Sequence, residues 1–277
     1  MRRSREETYE PRQKQGGCAP RLLLGLGIAI FSIVSFISGS SVNPVTGEKQ
    51  YVKVSAQQEV AMGLQAAPEM AQQFGGAIPN GPEADLVRRV GNRLVQRTKA
   101  KNTEYRFEFH LLRDGETINA FALPGGQVFI TMGLLSKLET EGQLAGVLGH
   151  EIGHVIGRHG AEHMAKGELM QGLVGAIGAA SDGKAMAIAQ MAAQMANLKY
   201  GRQDEHEADI FGLEYIVQAG YDPRGILGVM KVLEEASKGN RQPEWMSSHP
   251  LPANRIEELE DRIKKMFPNG VPSNLIP

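Results

Sequence analysis

The pentapeptide His150-Glu151-Ile152-Gly153-His154 constrains this chain more than any other stretch. It lies in an apolar run where Leu144, Val147, Leu148, Val155 and Ile156 recur at helical spacing. On a helix, residues four apart share a face, so the two imidazoles converge on one small cation. Glu151 is turned about 100° from His150, beside that point rather than on it. Thr140 and Gln143 stand as N-cap and N3 of a capping box, which predicts a helix starting just after Thr140. Gly153 and Gly157 interrupt it, each costing roughly 1 kcal/mol relative to alanine. Such glycines are expected where another element comes close.

Two histidines do not complete a metal site. The chain has one cysteine, Cys18, so neither an internal disulfide nor a Cys-rich site is available. Further donors must be His or carboxylate, which suits a catalytic zinc better than a structural one. His159 is one residue too early for the longer H-E-x-x-H-x-x-G-x-x-H pattern, whose last position is Gly160, and His163 lies beyond useful reach. A second helix is predicted from about Tyr200 to Ala219, with Gly220 just past its end. On it Glu205 and Asp209 share a face. Glu205 can complete a His₂Glu set, and Asp209 can accept the outer N–H of a ligand histidine. Glu207 is expected in solvent, and His206 at the surface.

The rest of the chain frames that pair of helices. With 277 residues and a formal net charge of −1, it can bury a sizeable core and carries no basic surplus for nucleic acid. Residues 1–21 are net basic, 22–37 almost wholly apolar, and Ser38 to Ser41 small. This is a secretory signal or an uncleaved signal-anchor over 22–40, with everything after Ser41 outside the cytoplasm. Residues 41–54 read as a linker, turn-rich at Asn43 to Gly47. Ser55 and Gln58 form a second capping box ahead of a helix to Phe74, and Pro82 opens another to about Thr98. Tyr105, Phe107, Phe109 and Leu111 alternate with polar neighbours as a strand, and Asn119 to Leu123 and Gln127 to Thr131 read as two strands joined at Pro124-Gly125-Gly126. Val128 to Thr131 reads either as an ordinary core strand or as a sheet edge able to hold a peptide as an added strand. Residues 165–198, rich in Ala, Gly and Met, read as a helical hairpin broken at Ser181-Asp182-Gly183, either packed on the core or covering the cleft. A charged helix over Asn254 to Met266 and a loose tail, 268–277, close the chain.

These segments resemble the gluzincin family that includes HtpX and the CAAX prenyl endopeptidases, closest to its exported, BepA-like branch. The resemblance rests on His150 to His154, on Arg202 to Asp209, on Asn119 to Gly126 and on Ser248-His249-Pro250, and runs from about Asn43 to Phe267. It implies zinc ligands His150, His154 and Glu205, the base Glu151, and Asp209 behind the ligands, with one Zn²⁺ per chain. The implied fold is α+β, a mostly helical zincin-type domain over 55–267 with a small antiparallel sheet near the H-E-x-x-H helix. Gly201 departs from the serine often found there. His249, in a loop after two helices, is expected either to anchor that loop or to plug the open metal position or steady the oxyanion, with Arg202 a further candidate for the last of these.

The expected activity is zinc-dependent endopeptidase action on misfolded or misassembled envelope proteins, in the bacterial periplasm or tethered to the inner membrane by residues 22–37. The alternative is a non-catalytic zinc-containing envelope chaperone or assembly factor. Glu151, which no structural site requires, favours the enzyme. A polytopic prenyl-protein protease is disfavoured, since only one spanning segment is visible.

Overall fold

The computed structural model describes residues 18–180, 200–238, 243–249 and 254–277. The basic leader before Cys18, the part of the 165–198 hairpin beyond Ala180, and Pro250 lie outside the described residues.

Helix α1 (Cys18–Ser38) leads into a short antiparallel hairpin of β1 (Ser40–Val42) and β2 (Lys49–Tyr51). Helix α2 (Ala56–Gln73) starts at the expected capping box, with Ser55 accepting from the Gln58 N–H and the Gln58 side chain returning to the Ser55 N–H at 2.8 Å. Strand β3 (Ala77–Ile78) and helix α3 (Pro82–Arg97) follow, the latter burying Val87, Val90 and Leu94. Next come β4 (Glu108–Leu112), β5 (Ala120–Leu123), β6 (Gln127–Thr131) and a single turn, α4 (Met132–Leu135). Helices α5 (Glu141–Gly157), α6 (His159–Ala180), α7 (Arg202–Gln218), α8 (Arg224–Ser237), α9 (Trp245–Ser248) and α10 (Arg255–Met266) complete the chain.

The four-stranded sheet has the order β3-β4-β6-β5. Its outer pairs are antiparallel, and β4 runs parallel to β6, with His110 opposite Phe129. Strand β6 is therefore internal, and all five of its residues are buried. Of the two readings of Val128 to Thr131, the structure gives the core strand and corrects the edge: the edge strands are β3 and β5. Which strands flank β6 is set by backbone pairing with distant segments, which its own residues do not specify.

Helix α5 runs through the centre, buried along almost its whole length. Sheet, α3, α7 and α8 pack around it in one core that includes Leu94, Leu111, Ile130, Leu148, Leu213 and Trp245. Its start is half the predicted box: Thr140 accepts from the Gln143 N–H at 3.2 Å, while the Gln143 side chain accepts from the Glu139 N–H instead. Its end is abrupt. Arg158 is left-handed (φ 59°), and α6 begins at the next residue.

Two segments expected to be loose are docked. In the 41–54 linker, Asn43 and Gln50 are buried and donate to the Ile156 and Gly157 carbonyls, the last of α5. These are orphan acceptors that a helix end must satisfy from outside. The tail is also held. Ile276 exchanges hydrogen bonds with Gly220 and Asp222, and the Pro277 carbonyl accepts from the Gly142 N–H at 2.8 Å. A run of Pro, Asn and Gly reads as irregular, and irregular chain can still be tied down by its backbone groups.

Candidate metal centre

The site forms where α5 meets α7, and the glycines set how close they come. A Cβ on Gly153 would stand 2.8 Å from the Ala208 carbonyl oxygen, and one on Gly212 would stand 3.0 Å from the His150 nitrogen. Any side chain there would push the helices apart. Gly157 has a different reason: a Cβ would run into the His159 ring.

At this crossing His150 Nε2 and His154 Nε2 are 3.0 Å apart. Glu205 reaches between them from α7, Oε1 3.3 Å from His154 Nε2 and Oε2 3.6 Å from His150 Nε2. His249 arrives from the end of α9, its Nδ1 2.8 Å from Glu205 Oε1 and 3.3 Å from His150 Nε2. All four side chains are buried, and one donor atom from each lies within 4.8 Å of every other.

The donors fit a divalent metal. Imidazole nitrogen with one carboxylate oxygen is the chemistry that Zn²⁺ takes, at about 2.0–2.2 Å per bond. The surroundings agree in sign: three buried carboxyl groups, Glu151, Glu205 and Asp209, face a single buried guanidinium, Arg255. Burial raises the Glu205 carboxyl, but hydrogen bonds from His154 and His249 outweigh it and hold the group well below its ordinary range. Burial also pushes His154 well below the ordinary imidazole value. A neutral ring with a free lone pair is what a metal requires.

The orienting groups are as well defined as the donors. His150 Nδ1 is 3.0 Å from Asp209 Oδ1, as expected from the spacing on α7. Asp209 is gripped in turn by Arg255 of α10, at 2.5 Å and 2.7 Å, and Arg255 Nη1 lies 2.9 Å from Glu205 Oε2. The Asp209 carboxyl, raised by burial, is brought below its usual value by His150 and Arg255. His154 Nδ1 lies 2.9 Å from His159 Nδ1, and His159 Nε2 lies 3.1 Å from Glu207 Oε2. This corrects the expectation for Glu207, which faces a buried histidine instead of solvent. The left-handed Arg158 turns the chain so that His159 doubles back beneath His154, a path that unbroken helical spacing cannot show.

Glu151 does not join the four donors. Its Oε1 accepts from Trp245 Nε1 at 3.1 Å and lies 3.8 Å from His249 Nε2. Trp245 stacks on His249, ring centres 4.6 Å apart, and Tyr200 stacks on His154 at 4.2 Å. Tyr200, Trp245 and Arg255 were not anticipated. Trp245 and Arg255 carry no spacing that ties them to the pentapeptide, and Tyr200 stood only as the start of the α7 segment. His206 is exposed as expected, 3.3 Å from Glu258. Arg202 is exposed at the first position of α7 and lines one pocket with Glu205, His206, Asp209, Arg255 and Glu258.

Two histidines of one helix, a glutamate of a second and an unligated glutamate beside them define the gluzincin type of metallopeptidase site. The profile of Peptidase family M48 matches residues 82–263, and the chain belongs to that family. It is 31% identical over 254 residues to the beta-barrel assembly-enhancing protease of Escherichia coli K12, covering 87% of this chain and 51% of that protein. It is 29% identical over 247 residues to the mitochondrial metalloendopeptidase OMA1 of Schizosaccharomyces pombe, covering 87% and 69%. Against the human OMA1 metalloendopeptidase the identity is 27% over 261 residues, covering 88% and 50%. The chain thus spans about half the length of most of these relatives.

Proposed function

We propose that this chain is a zinc-dependent endopeptidase. The observation that carries the reading is the placement of Glu151: buried beside a His₂Glu donor set, one residue along from a donor, yet held apart from the donors by Trp245. His150, His154 and Glu205 hold the metal, one per chain, with Asp209 keeping His150 in the tautomer that presents Nε2. Bound there, Zn²⁺ supplies Lewis acidity toward water and the scissile carbonyl. The Glu151 carboxylate takes the proton of the attacking water as oxygen bonds to the carbonyl carbon. It then delivers that proton to the amide nitrogen as the C–N bond breaks.

Substrate enters as a strand on the free edge of β5. Ala122, Leu123 and Pro124, at its exit, line the same narrow cavity as His154 and Tyr200. His249 fills the fourth donor position in this closed arrangement and withdraws when peptide binds. By analogy with the E. coli relative, the substrates are misassembled envelope proteins, and the domain lies beyond the membrane that residues 22–37 enter.

One observation favours a second reading. Four donors with His249 in place make a closed set, which is the form of a structural zinc, as in a non-catalytic chaperone. Glu151→Gln separates the two. The expected result is a chain that keeps its zinc and cleaves unfolded protein at least a hundredfold more slowly; undiminished cleavage would sink the enzyme reading as written.

A further inference from the structure

Helix α1 exposes a long apolar face. Leu23, Leu24, Phe31, Val34 and Ile37 are each more than half exposed. The window Pro20–Ser38, 19 residues, is long and apolar enough to cross a membrane. Its other side is taken by α6, which runs antiparallel to it. A Cβ on Gly25 would stand 2.6 Å from the Ala176 carbonyl oxygen and 2.8 Å from the Ala180 Cβ, and one on Gly172 would meet the Ser32 hydroxyl. Small residues thus let the two backbones approach, as in helix pairs packed within lipid.

Charge divides α6 in two. Near the metal centre it carries Glu162, Lys166 and Glu168, and Lys53 joins Glu168 at 3.3 Å to Ser35 of α1 at 2.9 Å. From Leu169 to Ala180 there is no ionisable residue. Those twelve residues extend about 18 Å at 1.5 Å each, more than half of a hydrocarbon core of about 30 Å.

The pair is also fixed to the site. The hairpin that leaves α1 caps the last carbonyls of α5 through Asn43 and Gln50, and Tyr51 stacks on Phe36 with ring centres 4.7 Å apart. Arg158, at the α5–α6 junction, donates to Glu59 and to the Val54 carbonyl. The helix bearing His150 and His154 cannot drift relative to α1 without breaking these bonds.

We propose that Leu169 to Ala180 lies in the bilayer alongside α1, with the Lys53–Glu168 pair at headgroup level. The metal centre then stands at a set height, about 14 Å along the nine helical steps of α6 from His159 to Glu168. The substrates it reaches are polypeptide segments at the membrane surface, such as the flanks of inserted proteins. The membrane placement stands on the packing and charge above; the substrate class rests in addition on the peptidase reading.

The test uses the full chain with Cys18→Ser, reconstituted into phosphatidylcholine vesicles. Single cysteines at Gly27, Gly175 and Lys101 carry an environment-sensitive fluorophore. A Cβ at Gly27 or Gly175 meets nothing within 4 Å, so these variants keep the fold. Brominated acyl chains are expected to quench the Gly175 and Gly27 labels several-fold more than the Lys101 label, and iodide to do the reverse. A Gly175 label that behaves like Lys101, or that is shielded from both quenchers by a protein partner or a second copy, overturns the placement. The substrate class is read separately, on an unfolded segment held about five extended residues, roughly 17 Å, from a membrane-spanning helix. It should be cut about tenfold faster than the same segment free in solution, because the tether raises its local concentration. Equal rates overturn the substrate class. No cleavage of either, with Gly175 in lipid, defeats the peptidase reading and the substrate class and leaves the membrane placement standing.

Discussion

Each donor histidine has its outer nitrogen assigned, by a different route. For His150 it is Asp209, braced by Arg255. For His154 it is His159, backed by Glu207. A proton on His154 Nδ1 pointing at His159 leaves Nε2 free for metal, and Glu207 favours the proton on the far nitrogen of His159. Groups of this kind change metal affinity about 10–100-fold when lost. Glu207→Ala is therefore expected to weaken zinc binding by about tenfold with little change in the apo-protein's stability, since Glu207 is partly exposed. Competition against a zinc-binding dye would measure it. An unchanged affinity would mean that His159 holds its orientation without the carboxylate.

Between elements, the closeness of α5 and α7 decides whether Glu205 reaches the two imidazoles. Gly153→Ala would raise helix propensity by roughly 1 kcal/mol, yet its methyl must displace the Ala208 backbone. The crossing should open, with a net loss of about 1–3 kcal/mol of stability, the usual cost of overpacking, and weaker zinc binding. Urea denaturation of the apo-protein and zinc titration would show both; a stabilised variant would contradict the close approach. The loop before β5 offers a test by pH. The Thr117 hydroxyl and amide, with the Glu116 amide, hydrogen-bond the Asp114 carboxylate and hold it below its ordinary value. A depressed carboxyl contributes stability above its unfolded value near 3.8, and that stability is lost as pH falls through the folded value. Thermal unfolding below pH 4 should therefore fall more steeply in the wild type than in Asp114→Asn.

For the whole molecule, metal binding is expected to couple to folding, because three carboxyl groups share one buried site with a single guanidinium. Zinc bound only by the folded chain adds about 4 kcal/mol at a thousandfold excess over Kd. The melting temperature should rise with added zinc and fall on chelation, as calorimetry would show; no shift would exclude the site as a zinc centre. The tail and the 41–54 segment add to the same unit, since they close the two ends of α5 through Pro277 and Asn43.

How much of this was legible follows from the range of each interaction. His150, His154, Glu205 and Asp209 could be read from the chain because helical periodicity converts spacing of four into a shared face. The helix starts at Ser55 and Thr140 could be read because caps are local chemistry. Glycines at 153 and 157 signalled a close neighbour, and the structure gives them different ones, the Ala208 backbone and the His159 ring. The order of the strands, and so the choice between core and edge for β6, depends on pairing between distant segments that no local pattern carries. The same holds for Arg255 under Asp209, Trp245 on Glu151, and His159 turned back by a left-handed Arg158. The sequence by itself determined the donor types and the two helices that carry them. Only the tertiary structure decided what orients, covers and tethers them, because those contacts join residues tens of positions apart and exist only once the core has packed.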